Sequence, residues 1–124
     1  MSYIPLEQLN VYKLSREYSK ECWFIYNNMD WQTKKVIGDQ MMSSVDSIGA
    51  NTAEGYGRFH YLDKIKFYYN ARGSLFESKH WINLLFERNI IDKEKHTKLI
   101  GLYIEISKCL NGLISSNYQK KNPS

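Results

Sequence analysis

Residues 6 to 122 contain no proline, because the two prolines of the chain are Pro5 and Pro123. Proline breaks helices and is frequent in turns, so its absence over this length favours long helices. The chain has 124 residues, of which 43% are hydrophobic and 24% are charged, as in an ordinary globular domain. We therefore expect one all-α domain over 1–124, with a core over about 6–118 and a polar tail over 119–124.

Hydrophobic residues recur every three or four positions in four segments, as on one face of an α-helix. The predicted helices cover about 7–28, 31–54, 61–88 and 93–117. Asp30 and Asp92 stand where the second and fourth helices need an N-cap. The apolar face of the first helix comprises Val11, Leu14, Tyr18, Cys22, Ile25 and Met29. Four long helices with short connections predict an antiparallel, up-down-up-down four-helix bundle.

The third predicted helix carries two neighbouring apolar stripes. The first is a heptad-like seam of Tyr68, Ala71, Leu75, Ser78, Ile82 and Leu85. The second comprises Leu62, Ile65, Tyr69, Gly73, Phe76 and Leu84. A helix that is apolar over such a wide arc is expected to face more than one neighbour.

The net charge is +4, and the positive charge lies in the C-terminal half of the chain. Residues 60–90 carry five basic and three acidic side chains, and residues 91–124 carry six and three. A basic surface favours polyanions such as nucleic acid. The predicted contacts are the cations Lys34, Lys35, Arg58, Lys64, Lys66, Arg72, Lys79 and Arg88. The ten tyrosines offer stacking surfaces for bases or, alternatively, pack at helix edges and subunit interfaces.

Four large aromatic residues fall off the main apolar stripes around the first turn. They are Trp23, Phe24, Tyr26 and Trp31. Exposed aromatic residues are typical of interfaces. The alternative to nucleic-acid binding is therefore a protein-interaction scaffold that uses these four side chains.

Residues in catalytic or metal-binding patterns are scarce. The three histidines are 20 and 16 residues apart, and only Glu77 is followed by a histidine three residues later, where a di-iron bundle needs two such pairs. We expect no catalytic residue, metal, cofactor or small-molecule substrate. Cys22 and Cys109 form no CxxC pattern, which indicates reduced thiols in a cytoplasmic protein. The polar first residues predict no signal peptide, and no apolar run is long enough for a membrane span.

Polar residues also recur at helical spacing in the second and third helices. The predicted network between the two helices consists of Ser47, Asn51, Glu54, Ser74 and Glu77. A buried carboxylate there needs donors, and Arg58 and Arg72 are alternatives to the serine and amide groups. The other interpretation is a carboxylate pair for acid–base catalysis, but no nucleophile or cofactor loop accompanies it.

The same segment carries a family resemblance. Its residues are Ser47, Ile48, Asn51, Ala53, Glu54, Gly55 and Arg58, followed by Ala71, Gly73, Ser74, Leu75 and Glu77. They resemble the signature of the bacterial 23S rRNA intervening-sequence protein family, which shares a superfamily with the accessory variability determinant of diversity-generating retroelements. The segments 9–12 and 103–113 also resemble the family, so the resemblance covers about residues 6 to 118.

The resemblance implies an antiparallel four-helix bundle without enzymatic activity, commonly assembled into a ring-shaped homopentamer. It also implies a basic outer surface that contacts RNA or DNA. In the retroelement branch the bundle is a partner of a reverse transcriptase, so a role as an accessory subunit is the alternative. The modest charge of +4 favours the intervening-sequence branch, whose molecular role is not settled.

Overall fold

The computed structural model describes residues 4–119 and consists of four long helices, with no strand in that range. A 3-10 turn at Leu6–Gln8 precedes the first helix. The bounds are Asn10–Asn27 for α1, Tyr61–Glu87 for α3 and Lys93–Gln119 for α4. Helix α2 consists of the α-helical turn Trp31–Thr33, the π-helical segment Lys34–Gly38 and the α-helical segment Asp39–Tyr56. The all-α prediction is confirmed.

Each helix packs against the next one along the chain, and α4 also packs against α1. The connections between the helices are three to five residues long, so consecutive helices run antiparallel. This is the predicted up-down-up-down bundle, and each helix boundary lies within three residues of its predicted position. Apart from Gln119, the predicted polar tail over 119–124 lies outside the described residues. None of the described helices is long and apolar enough to cross a membrane.

Local capping explains where α2 and α4 begin. The Oδ1 atom of Asp30 accepts a hydrogen bond from the backbone N–H of Thr33 at 2.7 Å, and Asp92 accepts one from Lys95 at 2.8 Å. Both predicted N-caps are therefore confirmed. Asn89 follows the end of α3 with a φ of 58°, a left-handed conformation that asparagine tolerates better than most residues.

The predicted apolar stripes form the core. All six residues predicted on α1 are buried except Leu14, which is partly buried. A buried hydrogen bond crosses the core between the hydroxyls of Tyr18 in α1 and Ser78 in α3, with an O–O distance of 2.9 Å. The Ser78 hydroxyl donates to the carbonyl of Leu75, so Tyr18 is the donor to Ser78. This pair links two diagonally opposed helices.

Ser78→Ala is expected to lower the free energy of unfolding by about 1–2 kcal/mol, because it leaves the buried Tyr18 hydroxyl without a partner. Tyr18→Phe is expected to cost less, about 0.5–1 kcal/mol, since Ser78 keeps its bond to Leu75. Urea unfolding of the two single variants and of the double variant measures which substitution costs more free energy of unfolding. A greater loss for Tyr18→Phe than for Ser78→Ala would contradict this assignment of donor and acceptor.

Candidate nucleic-acid interface on α3 and α4

Cationic and aromatic side chains alternate along α3 where it borders α4. The guanidinium carbon of Arg72 lies 5.8 Å from the ring centroid of Tyr69 and 5.5 Å from that of Phe76. The ammonium nitrogen of Lys79, two turns further on, lies 4.9 Å from the ring centroid of Tyr103 in α4. We call these five residues the α3–α4 face.

Helical spacing places the residues of α3 in this face. Positions 69, 72, 76 and 79 are separated by three, four and three residues, so they share one side of the helix. Helix α4 supports them: Arg72 donates from Nη1 to Oδ1 of Asn111 at 3.4 Å. Hydrogen bonding to Tyr69 raises the pKa of Tyr118 in α4. Burial raises the pKa of Tyr103, and the neighbouring charge of Arg72 opposes that rise.

The face remains open to solvent. Helix α3 contacts both α2 and α4, as its wide apolar arc predicts. Part of the second stripe nevertheless stays exposed, at 51% for Leu62, 43% for Tyr69 and 50% for Phe76. These three side chains keep about half of their surface accessible to solvent, although Tyr69 also lies beside Tyr118 of α4. An exposed apolar stripe that also carries cations is suited to a ligand or a partner.

The positive charge of the face is not neutralised within the described residues. The ion pairs of residues 4–119 lie elsewhere and join Lys35 to Asp39 at 3.3 Å, Arg58 to Glu54 at 3.0 Å and Lys98 to Glu21 at 2.7 Å. No carboxylate of the described chain comes within 4 Å of the cationic groups of Arg72 or Lys79. Both cations can therefore attract an anion at the surface.

The predicted cations near the start of α2 and after its end are engaged by neighbouring groups. Lys34 lies 5.1 Å from the ring centroid of Tyr26, and Lys35 pairs with Asp39. Arg58 pairs with a carboxylate of α2, and its guanidinium carbon lies 4.8 Å from the ring centroid of Phe67. These three residues are not part of the α3–α4 face.

The remaining predicted cations lie along α3 but outside the face. The ammonium of Lys64 donates to the backbone carbonyls of Gly55 and Tyr56, at 3.3 and 2.8 Å, so it satisfies the end of α2. Lys66 is exposed, with its ammonium 5.8 Å from the ring centroid of Phe67. Arg88 is exposed at the C-cap of α3. Of the eight predicted cations, Arg72 and Lys79 are the two that belong to the α3–α4 face, whereas Arg58 and Lys66 both lie over the ring of Phe67.

The polar residues of α2 and α3 do not form the predicted network between helices. Ser47 donates to the carbonyl of Ser43, and Asn51 donates to the carbonyl of Ser47. Glu54 pairs with Arg58, and Glu77 accepts from the indole of Trp81 at 3.0 Å. No hydrogen bond between α2 and α3 joins these residues to Ser74. Ser47, Asn51, Glu54 and Glu77 instead each interact with a residue four positions away along the chain, as polar side chains on helices commonly do.

The predicted aromatic cluster at the α1–α2 turn is exposed except for Tyr26. Trp23, Phe24 and Trp31 are 52%, 60% and 74% exposed. The Tyr26 hydroxyl donates to Asp39 at 2.6 Å, and its ring stacks on Trp23 with 5.4 Å between centroids. This hydrogen bond lowers the pKa of Asp39.

An open groove between α1 and α2 begins beside the aromatic cluster. Trp23 and Tyr12 line it on α1, and the small residues Gly49, Ala50 and Ala53 line it on α2. Its volume is about 720 Å³. We call it the α1–α2 groove.

Sequence reasoning did not assign three aromatic residues that the structure makes prominent. Phe59 is fully exposed in the connection between α2 and α3. Tyr103 and Tyr118 lie on α4 beside the α3–α4 face. Both tyrosines fall off the apolar stripe of α4, and this feature of the sequence could have identified them as surface aromatic residues. Among residues 4–119, no group of three or more histidine, cysteine, aspartate or glutamate side chains is arranged to hold a metal ion.

Comparison with known proteins agrees with the resemblance seen in the sequence. The family model described as 23S rRNA-intervening sequence protein matches residues 7–112. The bundle is similar to a crystal structure of a protein of unknown function from the S23 ribosomal protein family of Bacteroides thetaiotaomicron VPI-5482. The TM-score is 0.78 with 27% sequence identity, and the match covers 84% of this chain and 97% of that chain. A comparison with curated proteins gave no match. From the extent of the family match, the chain belongs to the 23S rRNA-intervening sequence protein family.

Proposed function

We propose that this chain is a non-enzymatic, self-associating helical bundle of the cytoplasm that binds structured RNA or DNA through the α3–α4 face. The observation that carries the proposal is the pair of cations Arg72 and Lys79. Both lie among aromatic rings and lack a carboxylate partner within the described chain. Such a surface attracts the phosphates of a nucleic acid with little dependence on its base sequence.

Arg72→Gln combined with Lys79→Gln is expected to weaken nucleic-acid binding by roughly tenfold or more at low salt, because two phosphate contacts are lost. The slope of log Kd against log salt concentration is expected to fall by about one for each cation removed. Fluorescence anisotropy with a labelled RNA hairpin, at about 50 and 200 mM salt, measures both quantities.

The matched control removes two exposed cations of α1 instead, in Lys13→Gln combined with Lys20→Gln. This variant has the same net charge as the first one. Equal weakening in both variants would mean that only the overall charge matters. If the unmodified protein binds neither RNA nor DNA at low salt, the proposed nucleic-acid function is wrong.

A second candidate function is a protein-interaction scaffold or accessory subunit, for example of a reverse transcriptase. The exposed aromatic cluster beside the α1–α2 groove favours this candidate. An exposed tryptophan in a groove whose α2 side carries small residues is suited to the close approach of another helix. We propose that a second copy of the chain is one such partner and that the assembly is the homopentamer that the family resemblance implies.

Trp23→Ala is expected to shift the protein from the assembled form towards the monomer without loss of helicity. The indole is half exposed, so its removal takes little from the core of the single chain, whereas a tryptophan at an interface typically contributes about 2 kcal/mol or more. Sedimentation velocity and circular dichroism measure the two properties. Phe59→Ala, which removes an exposed aromatic ring at the other end of α2, is the control. An unchanged sedimentation coefficient for Trp23→Ala would exclude this residue from the subunit contact.

A further inference from the structure

We propose that the α3–α4 face binds unpaired nucleotides, whose bases stack on Tyr69 and Phe76 while Arg72 and Lys79 hold the flanking phosphates. This inference rests on the proposed nucleic-acid function and narrows its ligand to single-stranded RNA or DNA, including the loops of a folded RNA.

The two rings are suited to stacking because they are accessible and held in place. Tyr69 and Phe76 are 43% and 50% exposed and lie two helical turns apart, about 10 Å along the axis. The guanidinium of Arg72 lies between them along the helix, within 6 Å of both ring centroids. The Tyr69 ring lies beside Tyr118 of α4, close enough for the two hydroxyls to interact. Each ring can therefore take one base with little loss of side-chain freedom.

The charges of the face complement a polynucleotide backbone. Arg72 and Lys79 lie on the α4 side of the two rings, and no carboxylate pairs with them within the described chain. Lys66 adds exposed positive charge one turn before Tyr69. Aromatic rings that alternate with cations are the arrangement by which proteins bind single strands without reading a sequence, since every base has a ring face and every nucleotide a phosphate.

The shape of the face disfavours a duplex. Two helices packed side by side span about 20 Å, because each has a diameter of about 10 Å with its side chains. The major groove of DNA is about 12 Å wide, so this flat pair of helices does not enter it. A duplex also keeps its base faces stacked inside, where Tyr69 and Phe76 do not reach them. Only the cations would then contribute to duplex binding.

The test measures the binding of three fluorescein-labelled ligands by fluorescence anisotropy. They are a 12-nucleotide single-stranded RNA, the single-stranded DNA of the same sequence and the 12-base-pair DNA duplex of that sequence. We expect the unmodified protein to bind both single strands at least about tenfold more tightly than the duplex at equal salt. Tyr69→Leu combined with Phe76→Leu removes the rings and keeps apolar side chains. It is expected to weaken single-strand binding by about 10- to 100-fold, with duplex binding and the salt dependence unchanged.

Phe59→Leu combined with Phe86→Leu is the matched control, since it removes two exposed rings that belong neither to the α3–α4 face nor to the proposed subunit contact. Equal or tighter binding of the duplex, or an equal loss in the control variant, would overturn the inference and leave the proposed nucleic-acid function standing. Absence of binding to all three ligands would overturn both. Circular dichroism of the two double variants verifies that each remains folded, as the exposure of all four side chains leads us to expect.

Discussion

Replacing Gly55 with leucine is expected to lower the free energy of unfolding by roughly 3 kcal/mol. Gly55 is buried near the end of α2, where the helix crosses α3. A Cβ atom at this position would lie 2.8 Å from Cε1 of Tyr68 and 3.1 Å from Cβ of Phe67. The larger side chain forces α2 and α3 apart or moves Tyr68, which is itself buried. Chemical denaturation monitored by circular dichroism measures the loss.

Gly73→Leu is the matched control, because a Cβ atom at Gly73 would meet nothing within 4 Å. Leucine is a better helix former than glycine, so this variant is expected to gain about 0.5–1 kcal/mol in the free energy of unfolding. Both changes replace a helical glycine by the same residue, and they differ only in the space around it. Equal stability of the two variants would show that close packing at Gly55 is not required.

The fold was predictable because one simple pattern determines most of it. The spacing of Val11, Tyr18 and Cys22 marks the buried side of α1, and Asp30 marks the start of α2. Both features depend on residues that are close together in the sequence, so they can be recognised from one sequence without a structure. The π-helical segment Lys34–Gly38 was not predictable in this way. It lies where a Cβ atom on Gly38 would come within 2.9 Å of Met29 and Tyr26, a contact between two helices that periodicity alone does not show.

The candidate site was predictable only in part, because a sequence shows which residues are charged but not how each charge is satisfied. Arg72 and Lys79 were predicted as contacts and lie together on one face. Lys64 was predicted on the same grounds, but it donates to two carbonyls at the end of α2. The position of Tyr103 off the apolar stripe of α4 marked it as a residue at the edge of the bundle, but its contact with Lys79 depends on the packing of α4 against α3, which spacing within one helix does not show.

Alkaline pH is expected to destabilise the bundle, and a buried thiol contributes to this loss from about pH 9, before the buried Tyr18 hydroxyl, whose pKa burial also raises. Burial raises the pKa of Cys22 from 9.0 to about 12, and the nearby carboxylates of Asp46 and Glu21 add to the rise. Below pH 9 the thiol is neutral in both the folded and the unfolded chain, so stability is unaffected. Above pH 9 the unfolded chain loses this proton and the folded chain keeps it until about pH 12. The free energy of unfolding therefore falls by about 1.4 kcal/mol per pH unit in this window.

Cys22→Ala removes this proton, so its free energy of unfolding is expected to fall less steeply than that of the unmodified protein. Between pH 9 and about 10.5 the difference in the free energy of unfolding between the two proteins should shrink by about 2 kcal/mol. Urea unfolding at a series of pH values measures this difference. Tyrosine ionisation is common to both proteins and cancels in the comparison. Cys109→Ala is the control: burial and Glu105 also raise the pKa of Cys109, but this thiol keeps part of its solvent contact, so a smaller change is expected. Parallel curves for the unmodified protein and Cys22→Ala would show that the buried thiol ionises as readily in the folded chain as in the unfolded one.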